Sequence, residues 1–117
     1  GKYNVYIRSG KEKTNLNPID WAKKLEKYGV GEIIINSIDK DGTLSGYDNE
    51  LIESIAKSVK IPVVAAGGAR NLNDFEVVCN SYHAAAAAAG AMFVFQGKHQ
   101  AVLITYPSQE DVKKIFK

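Results

Sequence analysis

The sequence is poor in the residues that build metal centres and disulfides. It holds one cysteine, Cys79, and two histidines, His83 and His99, among 117 residues. A single thiol has no partner for an intrachain disulfide, and neither histidine has a second ligand at metal-site spacing. We therefore predict no metal and no cofactor, and we interpret Cys79, which lies in an apolar stretch, as an unreactive buried thiol.

The sequence also lacks a large excess of positive or negative charge, and it lacks a long apolar run. Fifteen lysines and arginines are balanced by thirteen acidic residues, for a net charge of +2, and the two signs are interleaved. This balance argues against a nucleic-acid partner. No uncharged stretch reaches the roughly 18 residues of a membrane span, and the first residues do not form a signal-peptide core. We expect a cytoplasmic protein without a membrane partner.

What remains is the composition of one globular domain, which we assign to residues 1–117. Hydrophobic residues make up 45% and charged residues 24% of the chain, close to the averages for such domains. Helix caps followed by apolar residues at helical spacing recur along the chain. They predict four helices: 18–28 after Asn17, one from Asp48 or Asn49 through Val59, one from Asn71 or Asn73 through Cys79, and one from Ser108 to near Lys117.

Short apolar stretches between these helices predict strands at 3–7, 32–37, 63–66 and 84–89. The continuous run Ile33-Ile34-Ile35 is typical of a parallel strand covered on both faces. The six alanines at 84–89 favour a helix by propensity, but the alternation of elements requires a strand there. We predict an α/β fold with parallel βαβ units. A closed barrel needs roughly 250 residues, so the chain is too short for one.

Polar groups follow the second predicted strand. Asp39 and Asp41, with Gly42 and Thr43, come directly after it, where barrel enzymes place their active sites. The carboxylates there would bind polyol hydroxyls or act as acid and base. The alternative is that they only form Asx-turns.

Small residues follow the next two predicted strands. Gly67-Gly68 and Gly90-Ala91 would let backbone N–H groups approach an anion, and a short helix beginning in the run 92–95 would point its N-terminus at the same place. Two such turns after successive strands match the phosphate site of many barrels. The alternatives are simple turns and core packing by Phe93 and Phe95.

Three segments carry a resemblance to a known family. Residues 6–14, residues 31–48 with the motif Ser-Ile-Asp-Lys-Asp-Gly-Thr, and residues 61–69 resemble the cyclase subunit of imidazole glycerol phosphate synthase. The related isomerase of histidine biosynthesis shares the barrel, but this motif favours the cyclase. The resemblance implies the C-terminal half of a (β/α)8 TIM barrel, with about four βα units.

The resemblance also implies a function. Such a barrel is a lyase of histidine biosynthesis that takes ammonia from a glutaminase partner. It closes an imidazole ring on a substrate with two phosphates and releases an aminoimidazole carboxamide ribotide. The family places substrate at Asn36, Asp39, Asp41 and Gly42, and a phosphate at Gly67, Gly68, Gly90 and Ala91.

The two catalytic aspartates of the family lie on its first and fifth strands. The resemblance aligns the start of this chain with the excursion that follows the fifth strand, so we assign no catalytic residue here. We expect the isolated chain to lack cyclase activity and to need an N-terminal half-barrel, or a second copy, as its partner.

Two departures from the family leave alternatives. Asn36 stands where the histidine-pathway enzymes usually have threonine, and the ending at 90–98 differs from theirs. That ending is similar to cyclase-like proteins associated with amidation of surface sugars in lipopolysaccharide or flagellin glycans, which also work beside a glutaminase-like partner. A third reading is a non-catalytic phosphate-binding half-barrel.

Overall fold

The computed structural model describes residues 2–116. Helices and strands alternate over most of that length. In chain order the elements are β1 (Tyr6–Ile7), β2 (Glu12–Lys13), α1 (Pro18–Lys27), β3 (Ile33–Asn36), α2 (Asn49–Ala56), β4 (Val63–Ala66), α3 (Leu72–Asn80), β5 (Ala86–Ala87), α4 (Ala91–Val94), β6 (Phe95–Gln96), β7 (Ala101–Val102) and α5 (Gln109–Ile115).

A parallel sheet of three strands in the order β3-β4-β5 positions the rest of the structure. Ile33 pairs with Val63 at one end and Asn36 with Ala66 at the other, while Ala65 pairs with Ala87. The strands point the same way, so their carboxyl ends lie along one edge of the sheet. This confirms the predicted α/β class with parallel βαβ units, but β3 is not covered on both faces as expected, since Ile34 is 63% exposed.

Side chains that accept from backbone N–H groups begin the four longer helices. Asn17, Asp48, Asn71 and Ser108 each cap the helix that follows, as their positions predicted. Each cap satisfies donors that the first turn leaves without an intrahelical partner. The last helix ends at Ile115, and Lys117, near which it was predicted to end, lies outside the described residues.

Two apolar clusters hold the helices against the sheet. Val78 is 0% exposed, and Ile52 and Ile55 are 1% exposed; burying such a side chain contributes about 1.5–3 kcal/mol. One cluster packs α2 and α3 against β4, and the other packs α1 and α2 against β3. The buried members of the first cluster are Tyr47, Ile52, Ala65, Ala69, Phe75, Val78, Ala84 and Ile115. The buried members of the second cluster are Ala22, Ile33, Leu51, Ile55, Val59 and Val63.

The first predicted strand, 3–7, is not part of the parallel sheet. Only Tyr6 and Ile7 are extended as a strand, and they pair antiparallel with Glu12 and Lys13 in a small hairpin. The reason is local: the chain reverses at Arg8 and Ser9, whose φ angles are +54° and +57°. The sheet therefore has three parallel strands, not four.

The alanine-rich segment contains the strand that the alternation required, but the strand is Ala86–Ala87 and not the whole predicted range 84–89. Ala86 and Ala87 pair with Val64 and Ala65, and the N–H of Ala88 donates to the carbonyl of Ala65 at 2.8 Å. Pairing with a buried neighbouring strand thus overrides the helix propensity of alanine.

A second hairpin, β6–β7, follows α4 and was not predicted. It pairs Phe95 with Val102 and Gln96 with Ala101. Beyond it, the N–H groups of Leu103 and Thr105 donate to the carbonyls of Val94 and Phe93, both at 2.8 Å. Within residues 2–116 no helix has the length and apolar character needed to cross a membrane.

Candidate functional site

The carboxyl ends of the three parallel strands bring the predicted site residues to one edge of the sheet. β3 ends at Asn36, β4 at Ala66 immediately before Gly67, and β5 at Ala87, three residues before Gly90. Pairing of Asn36 with Ala66 and of Ala65 with Ala87 fixes these ends side by side. The eight predicted substrate and phosphate positions lie in these ends or the turns that follow them.

The turn after β4 is pressed against the loop after β3. A Cβ placed on Gly67 would lie 2.7 Å from Asn36 Oδ1 and 2.8 Å from the carbonyl oxygen of Ser37. A Cβ on Gly68 would overlap the carbonyl oxygen of Gly46 and lie 2.9 Å from Lys40 Cβ. Both glycines have positive φ, +88° and +109°, so the chain requires glycine here for packing and for backbone conformation.

A hydrogen bond crosses from the same loop to the turn after β5. Tyr47, which is buried, donates its hydroxyl to the carbonyl of Ala88 at 2.6 Å. Burial raises the pKa of this hydroxyl above its ordinary value, so that the group remains a donor. Gly46, next to it, donates its N–H to the carbonyl of Gly68 at 2.8 Å. The loop after β3 thereby fixes both turns.

The turn after β5 is open. Gly90 is exposed, and a Cβ placed on it would meet nothing within 4 Å. Gly90 is the N-cap of α4, whose first residue is Ala91, and it offers no side chain to cap the helix. Among the hydrogen bonds of residues 2–116, none has the N–H of Gly67, Gly68, Gly90 or Ala91 as its donor. The backbone N–H groups of the two turns thus have no hydrogen-bond acceptor assigned within the described residues.

Asn36 and Asp41 share a cavity with the first hairpin. This space of about 540 Å³ is lined by Tyr6, Ser9, Gly10, Asn36, Ile38 and Asp41. The hairpin lies over the loop, since a Cβ on Gly10 would be 3.1 Å from Ile38 Cδ1. The β1–β2 excursion therefore forms one wall of the site.

Asp39 and Gly42 are placed differently from Asp41. Asp39 lines a neighbouring space of about 280 Å³ with Asn36 and Asp48, and Gly42 lies in open surroundings on the exposed part of the loop. Across the described chain, neither Asp39 nor Asp41 accepts a side-chain hydrogen bond or forms an ion pair. The loop is braced instead by Thr43, whose hydroxyl lies 2.6 Å from that of Ser45. The carboxylates are thus available to a ligand, and no Asx-turn occupies them.

The structure adds two features that the sequence did not reveal. Tyr47 is one of them. The other is an ion pair between Arg70, which closely follows Gly68, and Asp74 in the first turn of α3, with Nη2 2.8 Å from Oδ1. The hydrogen bond from Arg70 holds the pKa of Asp74 below its usual value. The spacing i, i+4 was a usable signal for the ion pair.

Cys79 and the acidic residues do not form a reactive or metal-binding cluster in the described part of the chain. Burial raises the pKa of the Cys79 thiol, which disfavours the thiolate. No three His, Cys, Asp or Glu side chains of residues 2–116 lie close enough to share a metal ion. The candidate site is therefore the edge of the sheet at which the carboxyl ends of β3, β4 and β5 lie.

Comparison with protein families gives one match over most of the chain. The family described as "Histidine biosynthesis protein" matches residues 1–100. This span includes every predicted site residue, the parallel sheet and the turns at Gly67-Gly68 and Gly90-Ala91.

Individual relatives agree with the family match. The chain is 48% identical to "Putative imidazole glycerol phosphate synthase subunit hisF2" of Pseudomonas aeruginosa, over 98% of the chain and 45% of that protein. It is 46% identical to imidazole glycerol phosphate synthase subunit HisF of Alkaliphilus metalliredigens, over 80% of the chain and 37% of that protein. It is 52% identical to imidazole glycerol phosphate synthase subunit HisF of Sulfolobus acidocaldarius, over 74% of the chain and 34% of that protein. The chain thus spans less than half the length of these curated relatives.

Proposed function

Because the chain belongs to the histidine biosynthesis protein family, whose fold is the (β/α)8 barrel, we propose that it forms part of the cyclase site of imidazole glycerol phosphate synthase. In that reaction, ammonia from a glutaminase partner closes an imidazole ring on a substrate with two phosphates. An aminoimidazole carboxamide ribotide is the second product. We propose the cytoplasm as the location of this complex.

The observation that carries the proposal is the pair of turns at the carboxyl ends of β4 and β5. Their backbone N–H groups donate no hydrogen bond in the described chain, and Gly90 leaves the approach open. Oriented backbone donors of this kind bind phosphate without a charged side chain. We assign one substrate phosphate to Gly67, Gly68, Gly90 and Ala91.

The loop after β3 contacts the rest of the substrate in this proposal. Asn36 and Asp41 line one cavity, and Asn36 also touches the turn at Gly67. A ligand that extends from the phosphate turns toward the first hairpin would pass Asn36 first. Asp39 and Gly42 are assigned to the outer part of the same substrate site.

Phosphate binding is tested on the chain itself. Isothermal titration with inorganic phosphate is compared between the unchanged chain, Gly90→Asp and Gly31→Asp. Both glycines have open surroundings and negative φ, so aspartate fits at either position without strain. We expect Gly90→Asp to weaken binding by at least tenfold because a carboxylate beside the anion repels it. Gly31 lies before β3, at the opposite edge of the sheet, so Gly31→Asp should have no effect. Equal binding by all three chains would refute the assignment.

Catalysis is tested on the complete gene product, with ammonia and the phosphoribosyl formimino substrate. We expect both products, and a lower kcat/KM when Asn36 is replaced by leucine. Binding of phosphate without any turnover would favour the non-catalytic half-barrel. A pull-down with the cognate glutaminase tests the partner.

A second candidate function is the cyclase-like subunit of a surface-sugar amidation system. The residues that favour it are Asn36 and the segment 90–98, which forms α4, β6 and the start of the turn toward β7. Direct binding of the complete gene product to the phosphoribosyl substrate and to a nucleotide-activated acetamido sugar separates the two candidates. The ligand bound at least tenfold more tightly identifies the function.

A further inference from the structure

The β6–β7 hairpin exposes an apolar segment that has no role in the function proposed above. Val102, Leu103 and Ile104, which end β7 and follow it, are 71%, 59% and 61% exposed, and Tyr106 is 75% exposed. Residues 101–108 contain no charged side chain. A continuous apolar patch on a protein surface marks an interaction site in many proteins.

The segment 101–105 is also a free sheet edge. The N–H of Leu103 donates to the carbonyl of Val94 at 2.8 Å, so the backbone of Leu103 faces the rest of the hairpin. Successive residues of an extended chain direct their backbone groups to alternate sides. The N–H and C=O groups of Val102 and Ile104 therefore point away from the hairpin. Within residues 2–116, the backbone of Ile104 takes part in no hydrogen bond.

The β1–β2 hairpin shows how such an edge is usually protected. Arg8, Glu12 and Lys13 lie in its strands or directly beside them, and charged side chains at an edge oppose pairing with another chain. The edge at 101–105 has no charge and no proline. An edge without these protections is a template for a further extended segment.

A second copy of the chain is suited to this edge. Two copies related by a two-fold axis pair antiparallel, and an axis through Leu103 places Val102 of one copy opposite Ile104 of the other. The backbone groups of both residues point outward, so each such pair exchanges two hydrogen bonds. The contact uses the same neutral surface twice, without repulsion between like charges. The exposed apolar side chains of each copy then cover those of the other.

The charges at the two ends of the edge are complementary. Lys98 lies in the turn between β6 and β7, at one end, and Glu110 lies in the first turn of α5, beyond the other end. Neither forms an ion pair among the described residues. Antiparallel pairing brings the hairpin turn of one copy toward the start of α5 in the other. Lys98 and Glu110 therefore approach each other twice in the pair of copies.

We propose that residues 101–105 form the interface of a symmetric dimer, in which the edges of two copies pair antiparallel about Leu103. The two hairpins then join into one sheet of four strands, bordered at each end by Lys98 and Glu110. The interface uses neither phosphate turn, so it stands or falls independently of the phosphate site.

Sedimentation velocity of the complete gene product tests the dimer. We expect a reversible equilibrium between monomer and dimer. Leu103→Lys should weaken dimerisation by about tenfold or more, because two unpaired ammonium groups would meet at the axis. Tyr28→Lys adds the same charge at an exposed ring outside the hairpin, and this control should leave the equilibrium unchanged. Circular dichroism reports whether each variant is folded.

Cysteine variants test the register of the pairing. The two copies of residue 103 would form a non-hydrogen-bonded pair with Cα atoms about 4.5 Å apart, a distance that a disulfide spans. The two copies of residue 102 would lie diagonally, at about 7–8 Å, beyond that distance. Leu103→Cys should therefore give a covalent dimer on mild oxidation, whereas Val102→Cys should not. The unchanged protein measures the background from native cysteines such as Cys79.

Charge reversal tests the ends of the interface. Lys98→Glu should weaken the dimer by about two- to tenfold, the range expected for two exposed ion pairs. Combining it with Glu110→Lys should restore the affinity, because opposite charges then meet again.

Each contrary result overturns a stated part of the proposal. A protein that stays monomeric at all concentrations overturns it outright, and protection of residues 101–105 from hydrogen exchange in that monomer would assign the edge to another part of the same gene product. A dimer that Leu103→Lys leaves intact uses a different surface and also overturns it. Faster cross-linking of Val102→Cys than of Leu103→Cys rejects the pairing about Leu103. Failure of the combined charge reversal to restore affinity rejects the contact between Lys98 and Glu110.

Discussion

The turns after β4 and β5 both contain glycine at the edge of the same sheet, but their surroundings are opposite. Around Gly67 and Gly68 the loop after β3 is so close that a Cβ would collide with its backbone. Around Gly90 a Cβ would meet nothing. Packing and positive φ therefore explain glycine in the first turn, whereas neither explains it in the second. The open space at Gly90 is where the proposed phosphate would approach, so substitutions at Gly90 test the proposal more directly than substitutions at Gly67 or Gly68.

The largest effect should follow from adding one methyl group to the closed turn. Gly68→Ala places a Cβ against the Gly46 carbonyl at a φ of +109°, and we expect the free energy of unfolding to fall by about 3 kcal/mol or more. Urea denaturation measures this. A decrease in the free energy of unfolding below about 1 kcal/mol would show that the loop after β3 can move away from the added Cβ at little cost.

A smaller loss is expected when the link between the two turns is cut. Tyr47→Phe keeps the ring in the core but leaves the Ala88 carbonyl without its 2.6 Å donor, at a cost of about 1–2 kcal/mol. Phosphate affinity should fall as well, because the open turn loses its support. Tyr28→Phe, at an exposed ring immediately after α1, is the control and should alter neither stability nor affinity.

The ion pair after the closed turn should make stability depend on pH. The folded pKa of Asp74 lies below the ordinary value of an aspartate, first because of the side-chain hydrogen bond from Arg70. The stabilisation is thus complete above about pH 4 and is lost as the pH falls through the folded pKa. We expect the difference in Tm between the unchanged chain and Asp74→Asn to shrink on acidification from about pH 7 to about pH 2.5. A constant difference would contradict the assignment.

The smallest effect on stability is expected at the open turn. Gly90→Ala puts a Cβ into free space at a negative φ, so the free energy of unfolding should change by no more than about 0.5 kcal/mol. Thermal unfolding of the Gly90→Ala and Gly68→Ala variants, measured side by side, compares the two losses of stability directly. A loss as large as that of Gly68→Ala would remove the distinction between the two turns.

Features set by neighbouring residues could be predicted from the sequence. The caps at Asn17 and Ser108 work through backbone N–H groups two or three residues away. The strand 63–66 follows from a short apolar run between a proline and two glycines. Once β3, β4 and β5 were expected to be parallel, their carboxyl ends had to share an edge, which is why the predicted site residues are brought together.

Other features of the structure leave no clear signal in the sequence and could not be predicted. The β1–β2 hairpin turns through Arg8, Ser9 and Gly10, all at positive φ; Ser9-Gly10 marked the end of the strand but not that the chain pairs back on itself. The β6–β7 hairpin has strands of two residues each, too short for a visible alternation. The bond from Tyr47 to Ala88 joins residues 41 positions apart. The two hairpins thus depend on local chain reversals, whereas the Tyr47 bond depends on a tertiary contact.

The parallel sheet has a consequence for how copies of the chain can meet. Within residues 2–116, β3 and β5 are each paired on one side only, and Ile34 on β3 is 63% exposed. If the β5 edge of one copy met the β3 edge of another, the pair would again carry one free edge of each kind. An assembly built from such contacts is heterologous, because each contact joins two different edges. It stops adding copies only when the curvature of the sheet brings the free β5 edge of the last copy to the free β3 edge of the first. Twist, rather than affinity, would then set the number of copies in a closed ring.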